Sequence, residues 1–291
     1  MSTQQDLILP DVPAFNQNCF KAHRVHSDSL GELEALVPND ARYQCANAEA
    51  PALVLVPGLG MDGLGYIRQL PLGPLAHLHL FQTPNETVSG EPGLHGFAHA
   101  VESYITSQKL DQHPGGVFLG GCSMGGAISL AVAIRGRIRL RGLVLIGTFG
   151  SCNHLPRWQR LAAPLAGYLP WGLARKVAWQ VVARTPFFGK VNPQEADWLV
   201  SCKVKRTRAY FGRAVNALTT QQQIADAAKL KLPTLVVHGT HDNVLPIAAG
   251  QELAQTIPGA RFVSVQNAGH AIFFKNYEVV NQEIGRFIGE H

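Results

Sequence analysis

The chain is short of charge. Asp, Glu, Lys and Arg make up 15% of its 291 residues, against ~25% in an average soluble domain. Apolar residues make up 46%, so a large buried core is expected and intrinsic disorder is excluded. Cysteine is scarce as well. The five present (Cys19, Cys45, Cys122, Cys152, Cys202) are odd in number, far apart and without a C-x-x-C pair. Neither a disulfide framework nor a zinc knuckle is expected, and a reducing compartment fits best. The opening MSTQQDLILPDV lacks a basic stretch followed by a long apolar one, so it does not read as a secretory leader and cytoplasmic residence is expected. Uninterrupted apolar runs are missing too. One uncharged stretch, Gln112 to Ile134, reaches spanning length, but it holds six glycines and turns a corner midway. It reads as a buried strand followed by a helix.

Acidic residues nearly vanish from one segment. The whole chain carries 25 basic and 20 acidic side chains, a mild excess that predicts no nucleic-acid partner. Between 151 and 225, however, eleven Lys and Arg face only Glu195 and Asp197, and all four tryptophans (Trp158, Trp171, Trp179, Trp198) fall there. Outside that segment, strand and helix signals alternate. Ala52 to Val56 is a continuous β-branched and leucine run of the kind buried on both faces. His77 to Phe81, Val117 to Leu119, Leu143 to Ile146, Leu235 to His238 and Arg261 to Val265 read as further strands, with shorter candidates at Cys19 to Val25 and Leu33 to Val37. Helices are expected at Gly96 to Gln108, Ile128 to Ile134, Ala248 to Gln255 and Tyr277 to Ile288. The expectation is an α/β fold, a mostly parallel central sheet with helices on both faces, interrupted by a helical insertion at 151–225. Functional residues in such sheets lie on loops at the carboxyl ends of strands.

The most informative loop is Gly120-Gly121-Cys122-Ser123-Met124-Gly125-Gly126, between a strand and a small-residue helix. Gly-x-Ser-x-Gly at such a corner pushes Ser123 outward, because a side chain at Gly121 or Gly125 would collide across the turn. A serine hydroxyl attacks only if a histidine takes its proton and a carboxylate orients that histidine. His270, just after the last strand, emerges at the same sheet edge. Asp242, in the loop Gly239-Thr240-His241-Asp242 after another strand, is the orienter. The loop after Leu143 to Ile146 offers no carboxylate, and Asp62 lies in a glycine-rich loop. Cys122 reads as a small buried apolar residue. His238, His77 and His79 lie within strands, and His95 and His99 share a helix face with no further ligand at metal spacing. No metal and no cofactor is expected. Gly58, Gly60 and Gly63 match a dinucleotide fingerprint in letters, but the run has no clear helix start. We read Pro57-Gly58-Leu59-Gly60 instead as an oxyanion loop, with the backbone N–H groups of Leu59 and Met124 as donors.

These residues, in the order Ser123, Asp242, His270, resemble the α/β-hydrolase family of serine esterases and lipases over about residues 50–291. The motifs Gly239-x-x-Asp242-x-x-x-Pro246 and Gly269-His270 match, whereas Pro57-Gly58 replaces the usual His-Gly of the oxyanion loop. Serine at 123 separates the chain from the dehalogenases and epoxide hydrolases of this fold, which carry Asp there. The resemblance implies a core formed by 1–150 and 226–291 and a cap at 151–225 over the site, with Trp158 and Trp171 as candidate substrate contacts. It also implies hydrolysis of a carboxylic ester or thioester with an apolar acyl group. Acyl transfer from the same acyl-enzyme and a low-turnover ligand receptor are the rival readings. The uncharged stretch Leu161 to Ala174, bracketed by Arg157, Arg160, Arg175 and Lys176, reads first as part of a packed helical cap whose Arg and Lys solvate its outer face; the alternative is an acyl pocket or a contact with an anionic lipid surface or an acyl carrier.

Overall fold

The computed structural model describes residues 20–28, 30–85, 91, 93–155, 157, 160 and 207–291. The strands are Phe20–Ser27 (β1), Gly31–Pro38 (β2), Ala52–Val56 (β3), His77–Gln82 (β4), Val117–Cys122 (β5), Gly142–Ile146 (β6), Thr234–Gly239 (β7) and Arg261–Val265 (β8). They form one sheet in the order β1-β2-β4-β3-β5-β6-β7-β8. β2 runs antiparallel to both of its neighbours, and every later pairing is parallel. The apolar runs explain the order. β3, β5, β6 and β7 are buried at every position, which suits strands covered on both faces.

Alternation along β3 sends Leu53 and Leu55 to one face, where they join Tyr66, Phe118 and Phe287. Val54 and Val56 go to the other face, with Phe97, Leu119 and Ile128. The first face is covered by a 3-10 helix, Gly63–Leu72, and the second by the helices Leu94–Ser107 (α1), Met124–Arg135 (α2) and Arg208–Thr220 (α3). Ile247–Thr256 (α4) and Tyr277–Glu290 (α5) complete the described helices of eight residues or more. The stretch from Gln112 to Ile134 thus holds β5 and all of α2 but its last residue. No described helix is long and apolar enough to cross a membrane.

Three elements depart from the sequence expectation, the first being β5, which runs through Gly120 and Gly121 to Cys122 instead of ending at Leu119. Helix α2 starts at Met124 rather than Ile128, because Gly125, Gly126 and Ala127 pack directly behind the corner at Ser123. The glycine-rich run after β3 does hold a helix start: Asp62 caps the 3-10 helix by accepting from the Leu64 N–H at 2.9 Å. Arg135 at the end of α2 pairs with Glu91 at 2.6 Å and Glu102 at 2.8 Å, tying α2 to α1. Cys45, Cys122 and Cys152 are free thiols.

Most of the segment 151–225, including Trp158, Trp171, Trp179, Trp198 and the stretch Leu161 to Ala174, lies outside the described residues. Its two ends meet. Ser151 bridges Gln222 in antiparallel fashion, the Cys152 N–H donates to the Gln221 carbonyl at 3.0 Å, and the Gln223 N–H donates to the Gly150 carbonyl at 2.7 Å. The chain therefore leaves and rejoins the sheet edge at one point. Near its end, α3 sets Tyr210, Ala214 and Ala217 into the cluster shared with α1, with the Tyr210 and Phe97 rings edge to face at 5.9 Å.

His79 in β4 is a buried imidazole whose Nδ1 lies 2.9 Å from the Tyr104 hydroxyl. Burial, with the nearby His23, His77 and His113, pushes its pKa down to about 3. The sign follows from linkage. Above about pH 6.5 the ring is neutral in both folded and unfolded chains; as pH falls from there toward 3 only the unfolded chain gains the proton, and stability is lost. The depressed carboxyl of Asp242 adds a loss of the same sign only below about pH 4. His79→Gln is expected to flatten the decline between pH 6.5 and 4 by a few kcal/mol at most. Urea unfolding at stepped pH reads this directly, and parallel curves for the two proteins would exclude it.

Candidate active site

Ser123 stands at the junction of β5 and α2 with φ 53° and ψ −121°, a left-handed conformation that costs a non-glycine residue about 1–3 kcal/mol. The surroundings over-determine it. The Ser123 N–H donates to the Ile146 carbonyl at 3.0 Å, and the Thr148 hydroxyl donates to the Ser123 carbonyl at 2.7 Å. A Cβ on Gly121 would stand 2.6 Å from the Val56 carbonyl oxygen, and one on Gly125 would overlap that same atom. Glycine is therefore required at both positions, as the collision argument expects.

His270 and Asp242 come together through two knitted loops. The Thr240 N–H donates to the Val265 carbonyl at 3.0 Å, the His241 N–H to the Ala268 carbonyl at 2.9 Å, and the Asn267 N–H to the Thr240 hydroxyl at 2.9 Å. The approach is close enough that a Cβ on Gly239 would strike the Ala268 carbonyl. The result is a 2.7 Å hydrogen bond from His270 Nδ1 to Asp242 Oδ2. The other carboxylate oxygen, Oδ1, accepts from the Val244 and Leu245 N–H groups, both at 2.9 Å. The Asp242 side chain is fully buried while His270 keeps 11% exposure, so the imidazole is the open end of the pair. Burial alone would raise the Asp242 carboxyl. The bonds from His238 and His270, the charge His270 can carry, and the Leu245 amide outweigh it and hold the group well below the usual carboxylate range.

Gly147, next to the residue that anchors Ser123, joins the two halves. A Cβ there would lie 3.6 Å from Asp242 Oδ2 and 3.8 Å from His270 Nδ1. The edge formed by β5, β6, β7 and the loop after β8 therefore holds all three sequence candidates. The candidate oxyanion residues flank it. Met124 is the first residue of α2, whose opening N–H groups have no partner within the helix. Leu59 is part-buried in the loop after β3, and Gly58 in that loop faces Cys122, with 3.4 Å between its would-be Cβ and the thiol sulfur. Burial raises that thiol to about 11, which suits the small buried role read for it. The ring of Phe211 in α3 stands over Gly60, 3.3 Å from where a Cβ would be.

Sequence reasoning missed Tyr66. Its buried hydroxyl donates to the Val56 carbonyl at 2.7 Å and accepts from the Cys122 N–H at 2.7 Å. The phenol thereby ties the residue before the Pro57-Gly58 loop to the residue before Ser123, just where the β3–β5 ladder ends. A tyrosine within a glycine-rich run carries no signal for such a long-range role. Tyr66→Phe leaves a buried acceptor and a buried donor unpaired, which costs about 1–3 kcal/mol. A thermal melt is expected to fall by about 2–4 °C for each kcal/mol lost, together with kcat; an unchanged melt would deny the tie its role.

His95 and His99, the pair weighed for metal binding, lie beside Arg135 and Glu102. Among the described residues no group of three or more His, Cys, Asp or Glu is arranged to hold a metal ion.

An eight-stranded, mostly parallel sheet flanked by helices, with a strained serine at the strand-to-helix turn and an Asp–His pair beside it, defines an α/β-hydrolase. The model of the family described as serine aminopeptidase, S33 matches residues 90–276, well over half of the chain, and the protein belongs to that α/β-hydrolase family. Among curated proteins it is 29% identical over 271 residues to the polyketide synthase ThaQ of Burkholderia thailandensis, a match covering 87% of this chain but 12% of the synthase. It is 28% identical over 251 residues to a pimeloyl-[acyl-carrier protein] methyl ester esterase of Aromatoleum aromaticum, covering 78% of this chain and 94% of the esterase. Among solved structures, the enol-lactonase of Burkholderia xenovorans superposes with a TM-score of 0.76 at 21% identity, over 92% of this chain and 100% of the lactonase, a likeness of fold.

Proposed function

We propose that the protein is a cofactor-free serine hydrolase that cleaves a carboxylic ester or thioester through an acyl-enzyme. The observation that carries this reading is the 2.7 Å bond between His270 and buried Asp242, at the sheet edge that also bears Ser123. Asp242 fixes the His270 tautomer with the proton on Nδ1, leaving Nε2 as the base. Ser123 Oγ attacks the carbonyl carbon as its proton passes to Nε2, and the Leu59 and Met124 amides receive the developing oxyanion. Collapse expels the alcohol or thiol, which takes the proton back from His270. Water then repeats the cycle and releases the acid.

Residues 1–150 and 226–291 make up the core in this reading and 151–225 the cap. The meeting of residues 151 and 222 supports one insertion returning to its origin, and the position of Phe211 over Gly60 supports its covering the site. Esterase, lactonase and carrier-linked methyl ester names among the relatives support a small-molecule ester substrate.

The test is covalent labelling with a fluorophosphonate, followed by turnover of p-nitrophenyl esters of increasing acyl length. The expected result is one label per chain, on Ser123, and release of nitrophenol with an optimum in chain length. Labelling without turnover would favour a ligand receptor on this fold. Absence of labelling in the folded protein would overturn the nucleophile.

A further inference from the structure

The Asp242 carboxylate meets a second imidazole. His238, the fifth residue of β7, is fully buried, and its Nε2 lies 3.4 Å from Asp242 Oδ2, the same oxygen that His270 Nδ1 engages at 2.7 Å. Nε2 also lies 2.9 Å from the Leu245 carbonyl oxygen. A carbonyl can only accept, so Nε2 carries the proton. Nδ1 is buried without a partner among the described residues and is pressed against α4, where a Cβ on Gly250 would stand 2.5 Å from it. A proton there would be a buried donor with no acceptor, so the geometry places the ring's proton on Nε2.

Resting on the triad reading above, we infer that His238 is a positioning residue for the general base: its fixed N–H dipole shares Oδ2 with His270 and thereby sets how strongly Asp242 draws on the His270 ring. The rest of the carboxylate is already held, with Oδ1 taken by the Val244 and Leu245 amides. Leu245 closes a small circuit, because its N–H holds Oδ1 while its carbonyl holds His238. The loop carrying Asp242 and the strand carrying His238 cannot move independently.

Among the described residues, the other charged or titratable groups nearby are engaged elsewhere. On α4, Glu252 turns to His154 at 2.8 Å, and His241 lies 3.1 Å from the Thr240 hydroxyl. The neighbour of His238 on β8 is Ser264, and β6 brings no ionisable side chain.

The direction of the effect follows. Removing the His238 N–H leaves more of the carboxylate's charge for His270, which stabilises the imidazolium, so the acid limb of kcat/KM moves to higher pH. Less constraint on Oδ2 loosens the His270 ring and lowers kcat, with KM unchanged because His238 touches no substrate.

The experiment compares pH profiles of wild type, His238→Phe and His238→Gln on one p-nitrophenyl ester, after fluorophosphonate labelling of the wild type has established the nucleophile. Phe keeps a planar aromatic ring and removes the donor. Gln replaces the donor at nearly the same reach. The expected outcome for His238→Phe is a kcat at pH 7 lower by about five-fold or more and an acid limb higher by about half a pH unit, both largely restored in His238→Gln. A folded His238→Phe whose limb coincides with wild type would overturn the inference while leaving the labelled nucleophile intact. Should His238→Phe fail to fold, 15N spectra of histidine-labelled wild type decide, with the His238→Gln spectrum supplying the assignment. A ring at 238 with its proton on Nε2 at pH 8 supports the inference, and an Nδ1-protonated ring there overturns it.

Discussion

Ser123→Ala is expected to lower ester turnover by about 10⁴-fold or more while leaving the protein folded, because the members of a catalytic triad act as a unit and the remaining two cannot replace the nucleophile. Nothing in the packing resists the change. The backbone at 123 is held by the Ile146 carbonyl and the Thr148 hydroxyl, neither of which touches the serine side chain through those bonds. The strain at φ 53° persists with Ala, and Ser123→Gly is expected to release part of it, giving a melt above that of Ser123→Ala by the equivalent of about 1 kcal/mol. Steady-state rates and thermal melts of the two variants check both statements. Half of wild-type turnover in Ser123→Ala would refute the mechanism, and a less stable Ser123→Gly would refute the strain.

Asp242→Asn should be nearly as damaging, for a geometric reason. In the native protein Oδ1 accepts from the Val244 and Leu245 amides, so an asparagine there must keep its carbonyl oxygen toward those two donors. Its NH₂ group is then left facing His270 Nδ1 across what was a 2.7 Å bond. Two donors cannot share that line, so Nδ1 must give up its proton and Nε2 must carry it. The imidazole then offers no lone pair to Ser123. A loss of kcat of about 10³–10⁴-fold is expected near neutral pH, the scale known for a wrong tautomer in a serine protease triad. Some activity should return at high pH, where hydroxide can assist. Because the carboxylate is held well below its ordinary range, the wild type should lose no activity to protonation of Asp242 until pH has fallen below about 4. The pH profiles of the two proteins measure this, and a variant within ten-fold of wild type at pH 7 would refute the tautomer argument.

Much of the architecture was legible in the sequence, because the signals involved are local. Ala52 to Val56 and Leu143 to Ile146 have the pattern of strands buried on both faces, and Gly-x-Ser-x-Gly between a strand and a small-residue helix marked its corner. Asp242 and His270 followed from a rule of placement, the carboxyl ends of neighbouring strands, which needs no knowledge of distance. The helix start after Met61 was obscured because 3-10 turns carry no 3.6-residue period and glycine masks the cap.

What only the tertiary structure decided are contacts between residues far apart in the chain. The residues and their order determined that a serine, an aspartate and a histidine would share one edge. They did not determine which oxygen of Asp242 meets His270, since that depends on how two loops 28 residues apart are knitted. Nor could the sequence reveal that the Tyr66 hydroxyl bridges two strand ends, 56 residues from Cys122. His238, read correctly as a strand residue, gave no sign of a second role, because strand alternation says which face a side chain takes and nothing about what it finds there. Hydrogen bonds are short and directional, and whether one forms is fixed by ångström-scale placement that only the packed fold supplies.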